Sequence, residues 1–226
     1  MKTALRVALV TAAWAALHSA LASRRAKDVA AARLPHGREL YRVFYNAQAV
    51  VLFAGLAAYI VALPRRTLYR VRGPAAVALR CGQLAGIAWA VAAARATGMA
   101  RLTGLDNVAA LAHAEPPHPP PAAQGPELDE RTGELRAGGP FRLVRHPLNL
   151  APLPPFWLTP HMTTRRLAFN VVGTLYLVLG SLHEERRLAA AYGDRYRRYQ
   201  ESGVPFYLPR RRAAALRDRQ PEPVLR

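Results

Sequence analysis

The chain holds a single cysteine, Cys81, in 226 residues. That excludes an internal disulfide and any metal site built from several thiolates; no metal is expected, and within an apolar run Cys81 reads as a small packing residue. Negative charge is scarce too: 14 Asp and Glu stand against 32 Lys and Arg, a formal net charge of +18. So basic a chain invites a nucleic-acid reading, but no recognised binding motif accompanies the charge, and no nucleic-acid partner is expected. The same cations suit loops that face anionic headgroups, worth about 1 kcal/mol per basic residue near the surface. Membrane lipids are therefore the expected surroundings.

Charge is absent altogether from long stretches. Tyr45–Leu63 has no Asp, Glu, Lys, Arg or His in 19 residues, and Leu167–Leu182 has no charge in 16. Ala4–Leu21 carries only Arg6 and His18, and Pro74–Ala94 only Arg80. A helix of about 20 apolar residues crosses a hydrocarbon core of about 30 Å. The mean hydropathy of −0.02 hides these runs, because the charges sit in blocks between them. The first run begins after Met1-Lys2 like a signal peptide, but Ala22-Ser23 leads directly into Arg24-Arg25 without the usual cleavage site, so a retained first helix is expected.

The expected fold is all-α: a polytopic membrane protein of about five transmembrane helices, one of them short or re-entrant and proline-broken, followed by an amphipathic cytoplasmic helix. The divisions are N-terminal transmembrane helices over 1–100, a proline-rich cytoplasmic loop over 101–139, a cofactor-binding region over 140–209 and a basic tail over 210–226. Six Lys and Arg lie in 23–42 and eleven in 186–226, against four in 64–73 and two in 161–166. With five passes, the positive-inside rule puts the N-terminus outside and the C-terminus in the cytoplasm, as in a bacterial inner membrane.

Five prolines in Pro147–Pro160 forbid a regular helix there. Broken backbone at membrane depth is tolerated only where protein or a watery cavity satisfies the freed polar groups, so this segment is expected beside a pocket. Farther on, Leu188, Tyr192, Tyr196 and Tyr199 share one face of a helix expected over Glu184–Gln200, with arginines opposite.

Ionisable residues bracket the last hairpin: Arg145, His146 and Pro147 before it, Glu184 and Glu185 after it. Charged groups at a membrane face are costly and mark function by default. Singly, each also has a structural role open to it: Arg145 can snorkel to headgroups, and the glutamates can pair with Arg186 and Arg187 along the helix.

Two motifs carry a resemblance. Gly-Pro-Phe-Arg-Leu-Val-Arg-His-Pro (139–147) and Glu-Glu-Arg-Arg-Leu-(x3)-Tyr-Gly-(x2)-Tyr-(x2)-Tyr (184–199), then Val204-Pro205 and Pro209, resemble the signature of integral-membrane methyltransferases. That group includes isoprenylcysteine carboxyl methyltransferases, phospholipid methyltransferases and methanethiol S-methyltransferases. Upstream, His18-Ser19 and Tyr41-Arg42-(x2)-Tyr45-Asn46 look more loosely like the thiol-methylating branch.

The resemblance implies S-adenosylmethionine as methyl donor. Arg145, His146, Pro147, Glu184 and Glu185 would bind its amino-acid and ribose portions; a guanidinium suits a carboxylate, and glutamates suit an ammonium and hydroxyls. Tyr196 and Tyr199 would flank the adenine or simply pack. The reaction implied is in-line methyl transfer to a small lipophilic nucleophile, a thiol or a lipid-borne group, with His146 as catalytic base where the acceptor arrives protonated. One departure stands out: the family continues Arg-His-Pro-x-Tyr-x-Gly, whereas this chain has Asn149 and Ala151 at the tyrosine and glycine. That implies a divergent acceptor site. Two other classes share parts of the pattern: NADPH-dependent membrane reductases of the sterol type, and non-enzymatic membrane proteins linked to nitric oxide and denitrification.

Overall fold

The computed structural model describes residues 2–116, 125–126, 128–129 and 131–207. The basic tail expected over 210–226, Pro209 and residues 117–124 of the Pro-rich loop lie outside the described residues. Among the described residues, four helices are long and apolar enough to cross a membrane: α1 (Lys2–Ala22), α3 (Gly37–Ala62, apolar from Glu39), α4 (Gly73–Thr97) and α9 (Thr164–Tyr192). Leu5, Val50, Val51, Leu84 and Leu179 all point outward from them. In water such apolar surface would be a liability; in a bilayer it is the contact with lipid. The all-α polytopic membrane fold expected from the sequence is the observed one.

Between these lie shorter elements: α2 (Arg24–Arg33), β1 (Thr67–Arg70), α5 (Met99–Thr103), α6 (Leu105–Ala112), a 3₁₀ turn at Gly139–Arg142, α7 (Pro147–Leu150), α8 (Leu153–Trp157), β2 (His161–Thr163) and α10 (Asp194–Glu201). α2 occupies a stretch expected only as a connection; Ser23 caps it by accepting from the Ala26 amide. α6 likewise makes the start of the 101–139 loop helical. The preceding α5 is held from α3: Arg42 Nε donates to the Leu102 carbonyl at 2.9 Å, and Asn46 Nδ2 to the Leu102 and Thr103 carbonyls, each at 3.0 Å. Both side chains satisfy carbonyls left over at the end of α5. Cys81, expected in packing, is exposed.

β1 and β2 pair antiparallel, Arg70 opposite His161 and Thr67 opposite Thr163. This ties the 64–73 and 161–166 connections together at one end of the bundle. There Arg165 Nη1 donates to the carbonyls of Val61 and Leu63, at 2.5 and 2.7 Å, at the end of α3.

The proline-broken segment runs antiparallel to α9 over its whole apolar length. His146 meets Glu184, Asn149 meets Ser181, Trp157 meets Thr174 and Thr159 meets Arg166. From Thr164 to Glu184 is about 30 Å of helix, so the segment traverses a bilayer-thick slab instead of turning back within it. It also holds two single-turn helices where none was expected. Each begins with proline in its first positions, where a missing amide costs nothing.

Side chains from both neighbours bond carbonyls of this segment, including that of Phe156, whose helical partner would be Pro160. Trp89 Nε1 donates to the Pro147 carbonyl at 2.9 Å and Gln83 Nε2 to that of Pro155 at 3.0 Å, both from α4. Asn170 of α9 donates to the Phe156 carbonyl. α4 comes close enough because it presents glycine at the contact. A Cβ on Gly86 would lie 2.7 Å from Pro155 Cδ and 2.8 Å from Pro154 Cβ, and one on Gly82 would lie 2.5 Å from Leu158 Cδ1.

The helix expected over Glu184–Gln200 is two helices. α9 carries the acidic pair on its own unbroken axis and ends at Gly193, whose φ of 54° with ψ of −128° suits only glycine. α10 then turns back. The expected aromatic face survives the break: Leu188, Tyr196 and Tyr199 are buried together, with Tyr192, Ala189 and Val204 around them.

Candidate functional site

The site forms where the start of the broken segment, the end of α9, α10 and residues 204–207 converge. Arg145, His146, Glu184 and Glu185, far apart in sequence, meet there as the motifs implied. Glu185 is the hub. Its Oε1 accepts from Arg145 Nε at 2.9 Å, His146 Nε2 at 2.7 Å and Tyr196 hydroxyl at 2.9 Å, and its Oε2 accepts from Gln200 Nε2. Ionised and surrounded by donors, it has no acceptor capacity to spare.

His146 is 2% exposed and engaged on both sides. Nε2 bonds Glu185 and Nδ1 stands 3.3 Å from Glu184 Oε2. Two carboxylate partners suit an imidazolium, which donates from both nitrogens. Burial by itself pushes His146 down, but the two glutamates outweigh it, so the net direction is up from the ordinary histidine value.

Arg145 joins the strands of the site. Nη1 donates to the Val204 carbonyl at 3.0 Å, and the backbone amide donates to that of Pro205 at 2.9 Å. Its bonds to Glu185 and Val204 use two of the five guanidinium N–H donors. Phe206 then lies over the pair, its ring centroid 4.8 Å from that of His146 and 5.8 Å from the Arg145 guanidinium carbon.

Glu184 is held more lightly. Its Oε2 has His146 Nδ1 and Asn149 Nδ2 at 3.3 Å each. Asn149 also donates to Ser181 Oγ at 2.8 Å, and Ser181 meets the Tyr207 hydroxyl at 2.6 Å, which in turn donates to the Leu177 carbonyl at 3.0 Å. Burial pushes the Tyr207 phenol up to about 12, keeping it a neutral donor. An aromatic hydroxyl thus stands beside Asn149, delivered by the C-terminal segment instead of by residue 149. Ala151 is 3% exposed.

Tyr196 and Tyr199 are buried, with hydroxyls on Glu185 and on the Phe141 carbonyl at 2.5 Å; burial raises both phenols. Both are spent on internal bonds. Pro147 is buried at the start of α7, its carbonyl taken by Trp89. Sequence reasoning missed Phe206, Tyr207, Ser181 and Gln200. Only Phe206 and Tyr207 carried a hint, through their place directly after Val204-Pro205.

A cleft of about 660 Å³ opens nearby, between Ala96 at the end of α4 and the 129–142 segment; Asp129, Glu134, Arg136 and Arg142 are among its lining residues.

No family model and no solved structure matches the chain. Curated proteins do. The methanethiol S-methyltransferase of Pseudomonas deceptionensis is 38% identical over 77 residues, 34% of this chain and 29% of that protein. Methanethiol S-methyltransferase 2 of Bradyrhizobium diazoefficiens is 40% identical over 86 residues, 37% of this chain and 33% of that protein. The methanethiol S-methyltransferase of Mycobacterium tuberculosis is 44% identical over 69 residues, 30% and 28% of the two chains. The matches span about a third of those relatives' length. Over that part, the chain is similar to the membrane methyltransferase group that its two motifs resemble.

Proposed function

We propose that the chain is an S-adenosylmethionine-dependent membrane methyltransferase that acts on a small lipophilic nucleophile, a thiol or a lipid-borne group. The observation that carries this reading is the convergence of Arg145 and His146 with Glu184 and Glu185 at one end of a membrane-length hairpin. The named activity of the relatives points the same way. The site end carries the 23–42 basic stretch and the arginines of 186–198, so we place it in the cytoplasm at a bacterial inner membrane, where a soluble cofactor reaches it.

The donor set fits that cofactor in kind. Glu184, with contacts no shorter than 3.3 Å, is the carboxylate able to take an ammonium or a ribose hydroxyl. The remaining N–H donors of Arg145 suit a carboxylate, and Asn149 offers an amide beside them. Glu185, His146, Tyr196 and Tyr199 act one layer back: they fix Arg145 and Glu184 and keep the charge balanced, so His146 positions ligands and is not the base. S-adenosylmethionine, when bound, supplies an electrophilic methyl on a sulfonium sulfur. The chain's part is then to align an acceptor with that methyl and to exclude water, for which Phe206 and Tyr207 close the site. A 2′-phosphate would meet two carboxylates here, which disfavours the NADPH reading.

The test is calorimetry on the detergent-purified chain with S-adenosylmethionine, and NADPH as the paired ligand. Micromolar binding of S-adenosylmethionine that Glu184→Gln weakens at least tenfold is the expected result. Binding of NADPH alone would make the chain a reductase, and binding of neither, in folded protein, would leave the non-enzymatic reading.

A further inference from the structure

The amide of Asn149 is oriented by a hydrogen-bond chain that ends on a backbone carbonyl of α9. The Tyr207 hydroxyl reaches the Leu177 carbonyl at 3.0 Å. A carbonyl oxygen only accepts, so the single hydroxyl hydrogen of Tyr207 goes to it. Ser181 Oγ, 2.6 Å from the Tyr207 hydroxyl, is then the donor of that pair. With its one hydrogen given away, Ser181 can only accept from Asn149 Nδ2, at 2.8 Å. The second amide hydrogen of Asn149 faces Glu184 Oε2 at 3.3 Å. A flipped amide would set Oδ1 against a carboxylate oxygen and against a hydroxyl with no hydrogen left.

The polarity of this chain leaves acceptors facing the site. Both Asn149 N–H groups are spent, and among the described residues none donates to Asn149 Oδ1 or to Glu184 Oε1. Neither oxygen is closed off from solvent: Asn149 is half-buried and the Glu184 side chain 14% exposed. Nearby donors are committed as well, Tyr196 and Gln200 to Glu185, His146 to both glutamates, Ser181 and Tyr207 to the chain itself. A guest on this face is required to donate and not to accept. An ammonium does so, with three N–H donors, no lone pair and a charge opposite to that of Glu184. A ribose diol brings lone pairs that these oxygens cannot meet. Charge agrees: Arg145 and the His146 imidazolium balance Glu184 and Glu185, so a zwitterionic guest leaves the cluster neutral.

We propose that Asn149 Oδ1 and Glu184 together hold the α-ammonium of the methyl donor, and that Ser181 is the positioning residue that turns the Asn149 amide toward it. The inference rests on the methyltransferase reading above and separates the two roles left to Glu184 there, assigning it the ammonium and not the ribose. Oδ1 shares its carbon with Nδ2, so it stays within about 5.5 Å of Glu184 Oε2. Two N–H···O bonds of about 2.8 Å each close such a gap. Nothing in the two motifs contains Ser181, which is fully buried on α9 one turn before Glu185.

The probes are S-adenosylmethionine and its deaminated analogue, with hydrogen in place of the α-ammonium, titrated by calorimetry into the detergent-purified full chain. The parent is expected to prefer S-adenosylmethionine at least about tenfold, as charge-assisted hydrogen bonds would give. Asn149→Leu should lower that preference at least about fivefold and leave the affinity for the deaminated analogue within about twofold. Ser181→Ala, at a residue that touches no ligand, should lower the same preference at least about threefold, again with the analogue's affinity kept. General loosening of the site would weaken both ligands together and leave their ratio unchanged, so an unchanged ratio in either variant overturns the proposal. Equal affinity of the parent for the two ligands also overturns it, while the cofactor reading stands. Failure of the parent to bind S-adenosylmethionine overturns the methyltransferase reading and the ammonium site with it.

Discussion

Arg145 and His146 are adjacent in the chain, and both reach the same atom, Oε1 of Glu185, at 2.9 and 2.7 Å. One carboxylate thereby bonds two cationic side chains and draws the start of the broken segment onto the end of α9. Its neighbour Glu184, bonded only at 3.3 Å, is left to face a ligand.

The two glutamates should therefore separate in mutagenesis. Glu185→Gln leaves the buried His146 imidazolium without its shortest carboxylate bond and loosens the half-buried Arg145, and is expected to cost about 3 kcal/mol of stability. Glu184→Gln should leave the thermal midpoint within about 2 °C and act on ligand binding. Thermal unfolding in detergent, alongside calorimetry, distinguishes the two effects.

Stability should depend on pH through His146. Its folded value lies above the ordinary 6.5, so the protonated form is favoured by folding. That contribution is fully present below about pH 6.5 and is lost as pH rises through the folded value. The thermal midpoint is expected to fall across that window in the parent chain and to flatten in His146→Gln. Glu184 and Glu185 bond the ring, and Phe206 and Tyr207 pack against it.

Gly86→Leu should disrupt the α4 contact, because its Cβ alone falls 2.7 Å from Pro155 Cδ. An overpacked helix contact costs about 1–3 kcal/mol. Gly55→Leu has nothing within 4 Å of its Cβ and serves as the control. Unfolding midpoints of the two variants, compared directly, test the close approach.

Removing the Phe206 ring should uncover His146, which is 2% exposed with that ring 4.8 Å away. Diethylpyrocarbonate is expected to modify His146 at least tenfold faster in Phe206→Ala than in the parent, read by peptide mass spectrometry. Equal rates would show that residues 204–207 do not close the site.

Orientation has its own test. In a Cys81→Ala background, a cysteine at Ser202 should react with a membrane-impermeant maleimide only after cells are opened. A cysteine at Arg70, at the β1–β2 end, should react in intact cells. The reverse pattern would turn the site face outward.

Much of the architecture was legible in the charge pattern. Runs such as Tyr45–Leu63 pointed to helices in lipid, and the proline density of Pro147–Pro160 pointed to a broken element beside a pocket, with a loop lying on the bilayer as the alternative. Local pattern failed where backbone geometry overrode it. The 3.6-residue period passes smoothly through Gly193, so one helix was read where a glycine-only conformation makes two. α2 and α6 were missed because basic and mixed segments near a membrane face show little apolar periodicity.

Sequence by itself determined which residues are available for chemistry and that they bracket a membrane-length hairpin, because charge cannot be hidden in an apolar run and is visible wherever it occurs. Division of labour among them was decided by tertiary structure. Glu184 and Glu185 are adjacent and chemically identical, yet the break at Gly193 brings Tyr196 and Gln200 onto Glu185 alone. Antiparallel packing of the broken segment gives Asn149 to Glu184, and the chain's return at 204–207 supplies Phe206 and Tyr207. Likewise, no spacing rule joins His18 on α1 to Tyr45 on α3; only helix packing places them 2.6 Å apart.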